Sequence, residues 1–186
     1  MKKFFITGAA GFIGSHVCEH IAEKFPNSRI IALDKLTYAG KKFFLKNISK
    51  KKKFKFIKSD ILNSKKYIKY LKNIDCAINI AAESHVDNSF RNSKEFTKTN
   101  TLGAHVFLEN CINKKVKKII HISTDEVYGD KLKGKSYEGD TLDPTNPYSA
   151  SKAAAEMIIN SYKYVFKKDI IIIRANNIYG IRQFPE

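Results

Sequence analysis

Residues 6–16 read "ITGAAGFIGSH" and place Gly8, Gly11 and Gly14 three positions apart, directly after a short apolar run. Glycine at these positions permits a tight turn, a close approach of backbone N–H groups to a bound diphosphate, and close packing of a helix on a strand. A strand followed by such a turn and a helix is typical of dinucleotide-binding folds. The stretch therefore predicts a phosphate-binding turn between the first strand and the first helix.

The second apolar run, "RIIALD" at residues 29–34, ends in Asp34, which lies 20 positions after Gly14. An acid at the end of the second strand accepts hydrogen bonds from the ribose hydroxyls of an adenine dinucleotide and repels a 2'-phosphate. The spacing therefore predicts NAD rather than NADP as the cofactor. A glycine-rich turn followed by an unrelated acidic residue is the alternative at this point.

Apolar runs alternate with helical patterns along the whole chain. Most of the runs are continuously apolar, as strands covered by helices on both faces of a sheet should be. The alternation predicts an α/β fold with a doubly wound parallel sheet, a Rossmann-like domain over residues 1–186. The runs occupy residues 4–7, 29–34, 53–60, 76–82, 118–123 and 169–174, and the clearest helical patterns occupy residues 12–25, 101–112 and 148–166. In the helix at residues 101–112 we expect Leu102, Val106 and Leu108 to face the core.

Composition narrows the class of protein. A chain of 186 residues with 43% hydrophobic residues fits one globular domain. The net charge of +16 raises the question of nucleic-acid binding, but only four of the 34 basic residues are arginine, the side chain favoured for reading bases and phosphates. We therefore expect no nucleic-acid partner.

No apolar run approaches the length of about 18 residues that a membrane span needs. The three cysteines lack a CxxC pair and indicate reduced thiols in the cytoplasm, with neither a disulfide framework nor a metal site.

The stretch "PYSASK" at residues 147–152 places Tyr148 and Lys152 four positions apart at the start of a helix, so both project from one face. A lysine ammonium near a phenol favours the ionised phenol, because the opposite charge stabilises it. Tyr148 could then serve as the general base for an alcohol that is being oxidised. A surface tyrosine and lysine that share this spacing by chance are the alternative.

The stretch "STDEVYG" at residues 123–129 places the neighbouring acids Asp125 and Glu126 directly after an apolar run. Like charges repel, so adjacent carboxylates need either full exposure, as in an acidic turn, or a chemical use. Successive side chains on a strand point to opposite faces, so the chain must leave strand geometry by Asp125 if both acids are to reach one substrate. The segment from Gly129 to Pro147 follows as a long polar loop beside the site.

These motifs together resemble the extended short-chain dehydrogenase/reductase family. "DKLTYAG" at residues 34–40, "AAESHVD" at residues 81–87, "STDEVYG" and "PYSASK" are similar more narrowly to the nucleotide-sugar 4,6-dehydratases, especially the dTDP-glucose 4,6-dehydratases. The resemblance implies an NAD-dependent lyase that forms homodimers. It also implies a nucleoside-diphosphate glucose substrate, dTDP-glucose or UDP-glucose, which is converted to the 4-keto-6-deoxy sugar.

The resemblance also implies a role for each catalytic residue. Tyr148 takes the proton of the sugar C4 hydroxyl as hydride leaves for the nicotinamide, and Thr124 hydrogen-bonds the same hydroxyl. Glu126 then removes the C5 proton as base, Asp125 protonates the departing C6 hydroxyl as acid, and hydride returns to C6. Such an elimination needs one carboxyl protonated and one ionised, which neighbouring acids in a poorly solvated pocket can provide.

By the same resemblance, two sets of positions are expected to bind ligands. The expected cofactor contacts are Gly8, Gly11, Phe12, Ile13, Gly14, Asp34, Lys35, Leu36, Thr37, Asp60, Ile61, Ala81, Ala82, Glu83, Thr99, Tyr148 and Lys152. The expected substrate contacts are Ser84, Thr124 and Asn177.

Two alternative functions stay open. An epimerase or decarboxylase of the same family would share Tyr148 and Lys152 but should not need both acids. The family also has a smaller carboxy-terminal domain that binds the nucleotide sugar, which we expect to be absent from residues 1–186. A non-catalytic NAD-binding half is therefore the second alternative.

Overall fold

The computed structural model describes residues 1–131 and 133–185, so Leu132 of the predicted loop and Glu186 of the predicted domain lie outside the described residues. The strands are β1 Lys3–Thr7, β2 Arg29–Asp34, β3 Phe54–Lys58, β4 Cys76–Asn79, β5 Lys118–Thr124 and β6 Asp169–Ala175. They form one parallel sheet in the order β3-β2-β1-β4-β5-β6. The predicted doubly wound parallel sheet is confirmed.

Helices connect the strands and cover the sheet. The α-helices are α1 Phe12–Lys24, α2 Lys46–Ser49, α3 Ser64–Tyr67, α4 Val86–Arg91, α5 Ser93–Phe96, α6 Ala104–Asn113 and α7 Pro147–Phe166. Turns of 3₁₀ helix occupy Lys42–Leu45, Ile68–Tyr70 and Asp125–Tyr128, and Thr97–Gly103 forms a π-helix. None of the helices within the described residues has both the length and the apolar composition needed to cross a membrane.

Alternate residues of β1 belong to opposite cores, which shows that both faces of the sheet are buried. Phe5 belongs to a buried cluster with Phe107 of α6 and Ile159 of α7. Phe4 and Ile6 belong to a second cluster with the buried side of α1. Each fully buried side chain of this size stabilises the fold by about 1.5–3 kcal/mol. This two-sided burial explains why the strands read as continuous apolar runs.

Strand β4 ends three residues before the end of the predicted run at residues 76–82. The backbone N–H groups of Ile80 and Ala81 both donate to the Thr7 hydroxyl, each at 3.2 Å. These hydrogen bonds turn the chain out of the sheet, so the residues that follow Asn79 line the edge of the sheet as a loop.

The predicted helix at residues 101–112 begins as the end of the π-helix and continues as α6. The expectation that Leu102 faces the core is wrong, because its side chain is 49% exposed. Each π turn contains one residue more than an α turn, which rotates the following face by about 100°. Leu108 on α6 is buried, as expected.

Candidate active site

A cleft of about 620 Å³ opens at the carboxyl ends of the strands, beside β1 and β4, where the strand order reverses. In open α/β sheets this position is the usual ligand site. Leu36 is the one expected cofactor contact that is not among the described residues lining the cleft. The expected substrate contacts Ser84, Thr124 and Asn177 all line it. The cleft therefore gathers residues that lie far apart in the sequence.

The three glycines of the first turn differ in how much space a Cβ would have. Gly8 has a φ of +64°, and a Cβ on it would lie 2.7 Å from the backbone nitrogen of Ala81. A Cβ on Gly14 would lie 2.0 Å from the carbonyl oxygen of Gly8. A Cβ on Gly11 would meet nothing closer than that same oxygen, at 3.4 Å. Gly8 and Gly14 thus permit close packing, whereas Gly11 leaves open space in front of α1.

The start of α1 is able to receive an anion. The helix begins at Phe12, and no side chain caps its first backbone N–H groups. Unpaired N–H groups and the positive end of the helix dipole both favour a bound phosphate. The glycine turn and α1 together therefore fit a diphosphate.

Asp34 is buried at the end of β2, and its carboxylate is held by the backbone. Oδ2 accepts from the N–H of Ala10 at 2.8 Å, and Oδ1 accepts from the N–H of Leu36 at 2.7 Å. Burial raises the pKa of Asp34, and these backbone hydrogen bonds oppose the rise. Each oxygen keeps a further lone pair that can accept from a ligand hydroxyl. Leu36 thus acts here through its backbone, which holds the acid in place.

The loops after β2 and β3 are joined by an ion pair. Lys35 Nζ lies 2.8 Å from Asp60 Oδ2, and Asp60 Oδ1 accepts from the N–H of Leu62 at 2.9 Å. Lys35 and Asp60 both line the cleft. The pair links the two loops that border the cleft on the side of Asp34.

Helix α7 presents Tyr148 and Lys152 to the cleft. The helix is started by a capping box between Asn146 and Ser149, with Pro147 in its first turn. Lys152 is 3% exposed and its ammonium donates to the carbonyl of Ile122 on β5. Burial lowers the pKa of Lys152 to about 8.

A buried ion pair supports this lysine. Glu156 lies one turn after Lys152, is fully buried, and favours the charged form of the lysine. The Arg174 guanidinium donates to Glu156 Oε2 from Nη2 at 2.7 Å and from Nε at 3.0 Å, and its Nη1 donates to the Tyr128 hydroxyl at 2.6 Å. Glu156 and Arg174 were not predicted. The four-residue spacing of Lys152 and Glu156 is the signal that could have found the first of them.

The chain leaves strand geometry at Asp125, the position by which it must do so if both acids are to reach one substrate. Strand β5 ends at Thr124, and the 3₁₀ turn begins at Asp125. The Thr124 hydroxyl accepts from the N–H of Glu126 at 3.2 Å and donates to Asp125 Oδ1 at 3.3 Å. Glu126 lines the cleft, while Asp125 is not among the described residues that do so. The two acids therefore differ in access, and Thr124 connects Asp125 to the cleft.

Asn100 of the π-helix, which was not predicted from the sequence, connects two parts of the cleft border. Its amide accepts from the N–H of Glu83 at 2.8 Å and donates to the carbonyl of Glu83 at 2.9 Å. It also donates to the Ser151 hydroxyl at 2.9 Å, which ties the loop after β4 to α7. π-helices are frequent at functional sites, but the local sequence contains no signal that predicts a π-helix at these residues.

No group of three or more His, Cys, Asp or Glu side chains is placed to hold a metal ion within residues 1–131 and 133–185. The groups that line the cleft include carboxylates, hydroxyls and the ammonium of Lys152.

Comparison with known proteins identifies the family. Residues 5–186 match the family model described as GDP-mannose 4,6 dehydratase. The chain belongs to this family. Over its full length it is 48% identical to the dTDP-D-glucose 4,6-dehydratase of Dictyostelium discoideum, of which it covers 46%. The resemblance to the nucleotide-sugar 4,6-dehydratases is confirmed.

Solved structures agree with this placement. The dTDP-glucose 4,6-dehydratase of Streptomyces venezuelae, solved with NAD bound, is 36% identical with a TM-score of 0.94, over 98% of this chain and 58% of that one. The UDP-glucuronic acid 4-epimerase of Bacillus cereus, solved with UDP-glucuronic acid and NAD, is 32% identical with a TM-score of 0.92, over 99% of this chain and 59% of that one. The chain spans about half the length of these relatives.

Proposed function

We propose that this chain binds NAD and carries the residues for 4,6-dehydration of a nucleoside-diphosphate glucose, dTDP-glucose or UDP-glucose. The product is the 4-keto-6-deoxy sugar nucleotide, so the activity is that of a hydro-lyase. One observation carries the proposal: Thr124, Glu126, Tyr148 and Lys152 line the same cleft as the glycine turn. Residues 1–186 then act as one NAD-binding domain that holds the catalytic side chains.

The residues of the cleft fit NAD. The open space at Gly11 and the uncapped start of α1 would hold the diphosphate, and Asp34 would accept hydrogen bonds from the adenosine ribose. A negative charge on Asp34 would repel a 2'-phosphate, which favours NAD over NADP. When bound, NAD supplies an acceptor for hydride from the sugar and returns that hydride in the last step. The NAD-bound structure of the Streptomyces venezuelae relative supports this assignment.

The first step uses Tyr148, Lys152 and Thr124. The ammonium of Lys152, whose pKa is about 8, stays mostly protonated at neutral pH and favours the phenolate of Tyr148. That phenolate accepts the proton of the C4 hydroxyl as the C4–H bond breaks. The Thr124 hydroxyl, which donates to Asp125 Oδ1 before the sugar binds, would turn its hydrogen to the same oxygen and orient it.

The elimination uses the two acids of the 3₁₀ turn. The C4 ketone acidifies the C5 hydrogen, and the Glu126 carboxylate takes that proton; when hydride returns to C6 in the last step, Glu126 gives a proton back to C5. The C6–O bond breaks, the departing oxygen receives a proton from Asp125, and water leaves. The hydrogen bond between Asp125 and Thr124, which itself lines the cleft, supports this role for Asp125.

A nucleotide-sugar 4-epimerase or decarboxylase is the second candidate. Asp125 is not among the described residues lining the cleft, and an epimerase is among the structural relatives. Such an enzyme would use Tyr148 and Lys152 in the same way and would not eliminate water.

Mass spectrometry of the reaction separates these functions. The chain is incubated with NAD and either dTDP-glucose or UDP-glucose, with Tyr148→Phe as the inactive control. A product lighter than the substrate by one water supports the dehydratase, whereas a product of unchanged mass whose C4 is shown to be inverted by nuclear magnetic resonance would show an epimerase. Tight NAD binding without any turnover would identify a non-catalytic NAD-binding half.

Two further properties are part of the proposal, one from the family resemblance and one from the cysteines. We infer a homodimer formed through α6 and α7, and the exposed apolar side chains of Met157 and Val165 on α7 support it. We infer a cytoplasmic location, and the free thiols of Cys18, Cys76 and Cys111 support it. Sedimentation equilibrium would test the first inference, and a fluorescent fusion to the chain would test the second.

A further inference from the structure

Asn146 connects the start of α7 to the carboxylate of Glu126. Its Oδ1 accepts from the backbone N–H of Ser149 at 2.8 Å, which caps the helix. Its Nδ2 donates to Glu126 Oε2 at 3.0 Å. One side chain thus makes two contacts that belong to different functions, a helix cap and a hydrogen bond to an acid in the cleft.

The two contacts fix the orientation of the amide. The N–H of Ser149 can only donate, so it requires the oxygen of Asn146. An ionised carboxylate of Glu126 can only accept, so it requires the amide nitrogen. A flipped amide would place donor against donor and acceptor against acceptor, and both hydrogen bonds would be lost.

The position of Asn146 matters because Tyr148 follows it by two residues on the same helix. In the proposed reaction Tyr148 acts at C4 of the sugar and Glu126 acts at C5, the neighbouring carbon. A hydrogen bond from the cap of α7 to Glu126 ties the two groups to one rigid element. This hydrogen bond involves Oε2 of Glu126, and Asn146 does not contact Oε1 in the same way.

We propose that Asn146 is a positioning residue for the elimination step, which orients the Glu126 carboxylate toward C5 of the sugar. This inference rests on the proposed function. Capping alone would not require asparagine, since serine and aspartate cap helices equally well. The amide nitrogen is what these residues lack, and it is the atom that contacts Glu126.

The test compares Asn146→Ser with Ser149→Ala in the full chain, with NAD and whichever of dTDP-glucose and UDP-glucose the wild type converts. Asn146→Ser keeps a helix cap and removes the donor to Glu126. Ser149→Ala weakens the capping box, in which the Ser149 hydroxyl bonds the Asn146 backbone, and leaves that donor in place. Asn146→Asp is a second variant that caps without the donor and serves if the first does not fold.

In Asn146→Ser we expect kcat to fall about 10- to 100-fold, the effect of losing one hydrogen bond to a charged group, with KM nearly unchanged. C4 oxidation should persist, so the ultraviolet absorbance of reduced nicotinamide should accumulate in a single turnover. Ser149→Ala should show no such accumulation.

Three outcomes would overturn the inference. Asn146→Ser and Asn146→Asp with the wild-type rate would show that the donor is not needed. Equal slowing of Asn146→Ser and Ser149→Ala without reduced nicotinamide would assign the effect to the helix cap. A wild type that binds NAD and forms no product would overturn the proposed function together with this inference, and only that outcome involves the wild type.

Discussion

Replacing Gly14 with alanine should destabilise the fold because its Cβ has no space. The new atom would lie 2.0 Å from the carbonyl oxygen of Gly8 and 2.9 Å from Cα of Ala9. Both are backbone atoms, so no side chain can rotate away, and α1 must move from β1. Overpacking costs about 1–3 kcal/mol, and this contact belongs at the upper end of that range. Alanine returns about 1 kcal/mol through its helix propensity, which leaves a net loss of about 2 kcal/mol.

The same substitution at Gly11 is the matched control. Gly11 has extended backbone angles, and a Cβ there would meet only the oxygen of Gly8 at 3.4 Å. Alanine is a poorer helix cap than glycine, which destabilises the fold, but it also makes the unfolded chain less flexible, which stabilises the fold. These two effects nearly cancel, so the free energy of unfolding should change by less than about 1 kcal/mol. The added methyl group would instead occupy the space proposed for the diphosphate of NAD. We expect the affinity for NAD to fall at least about tenfold, or 1.4 kcal/mol.

Urea denaturation and calorimetric titration with NAD measure the two effects separately. A loss of about 2 kcal/mol in Gly14→Ala corresponds to a melting temperature lower by roughly 4–8 °C for a chain of this length. Wild-type stability of Gly14→Ala would refute the packing argument. Wild-type affinity of Gly11→Ala for NAD would refute the placement of the diphosphate over that glycine.

The further predictions concern α7 and its neighbours. Tyr148→Phe should lower kcat about 100- to 10,000-fold by removing the general base, and turnover above a tenth of wild type would contradict that role. Glu156→Gln should lower the free energy of unfolding in urea by about 3 kcal/mol, because Arg174 loses its buried partner, and an unchanged urea midpoint would contradict it. Turnover should fall as pH rises through about 8, where Lys152 loses its proton. The folded pKa of Lys152, about 8, lies below its unfolded value of about 10.4, so between these values the unfolded chain binds more protons than the folded one. The free energy of unfolding should therefore rise with pH over this range in the wild type relative to Lys152→Met. The same pH dependence of unfolding in both proteins would contradict this.

The sheet could be predicted from the sequence because parallel strands are buried on both faces and show it as continuous apolar runs. The run at residues 29–34 coincides with β2. The run at residues 76–82 was too long, because the end of β4 is set by hydrogen bonds to the hydroxyl of Thr7, a residue more than 70 positions away. Such contacts between distant segments leave no trace in local composition.

The same limit applies to the candidate site. Tyr148 and Lys152 could be found because a helix places residues four apart on one face. Arg174 could not, because its partners Glu156 and Tyr128 lie 18 and 46 positions away. The different access of Asp125 and its neighbouring acid depends on how the 3₁₀ turn packs against α7, which spacing alone does not determine.

If one cleft holds NAD together with the residues that remove water from the sugar, hydride must leave C4 and return to C6 of the same molecule. Conversion of dTDP-glucose or UDP-glucose labelled with deuterium at C4 measures this transfer. We expect a product lighter by one water, with the deuterium moved from C4 to C6 of the same sugar, and no such product from Glu126→Gln. A product of unchanged mass, or a 6-deoxy product without the label at C6, would contradict it.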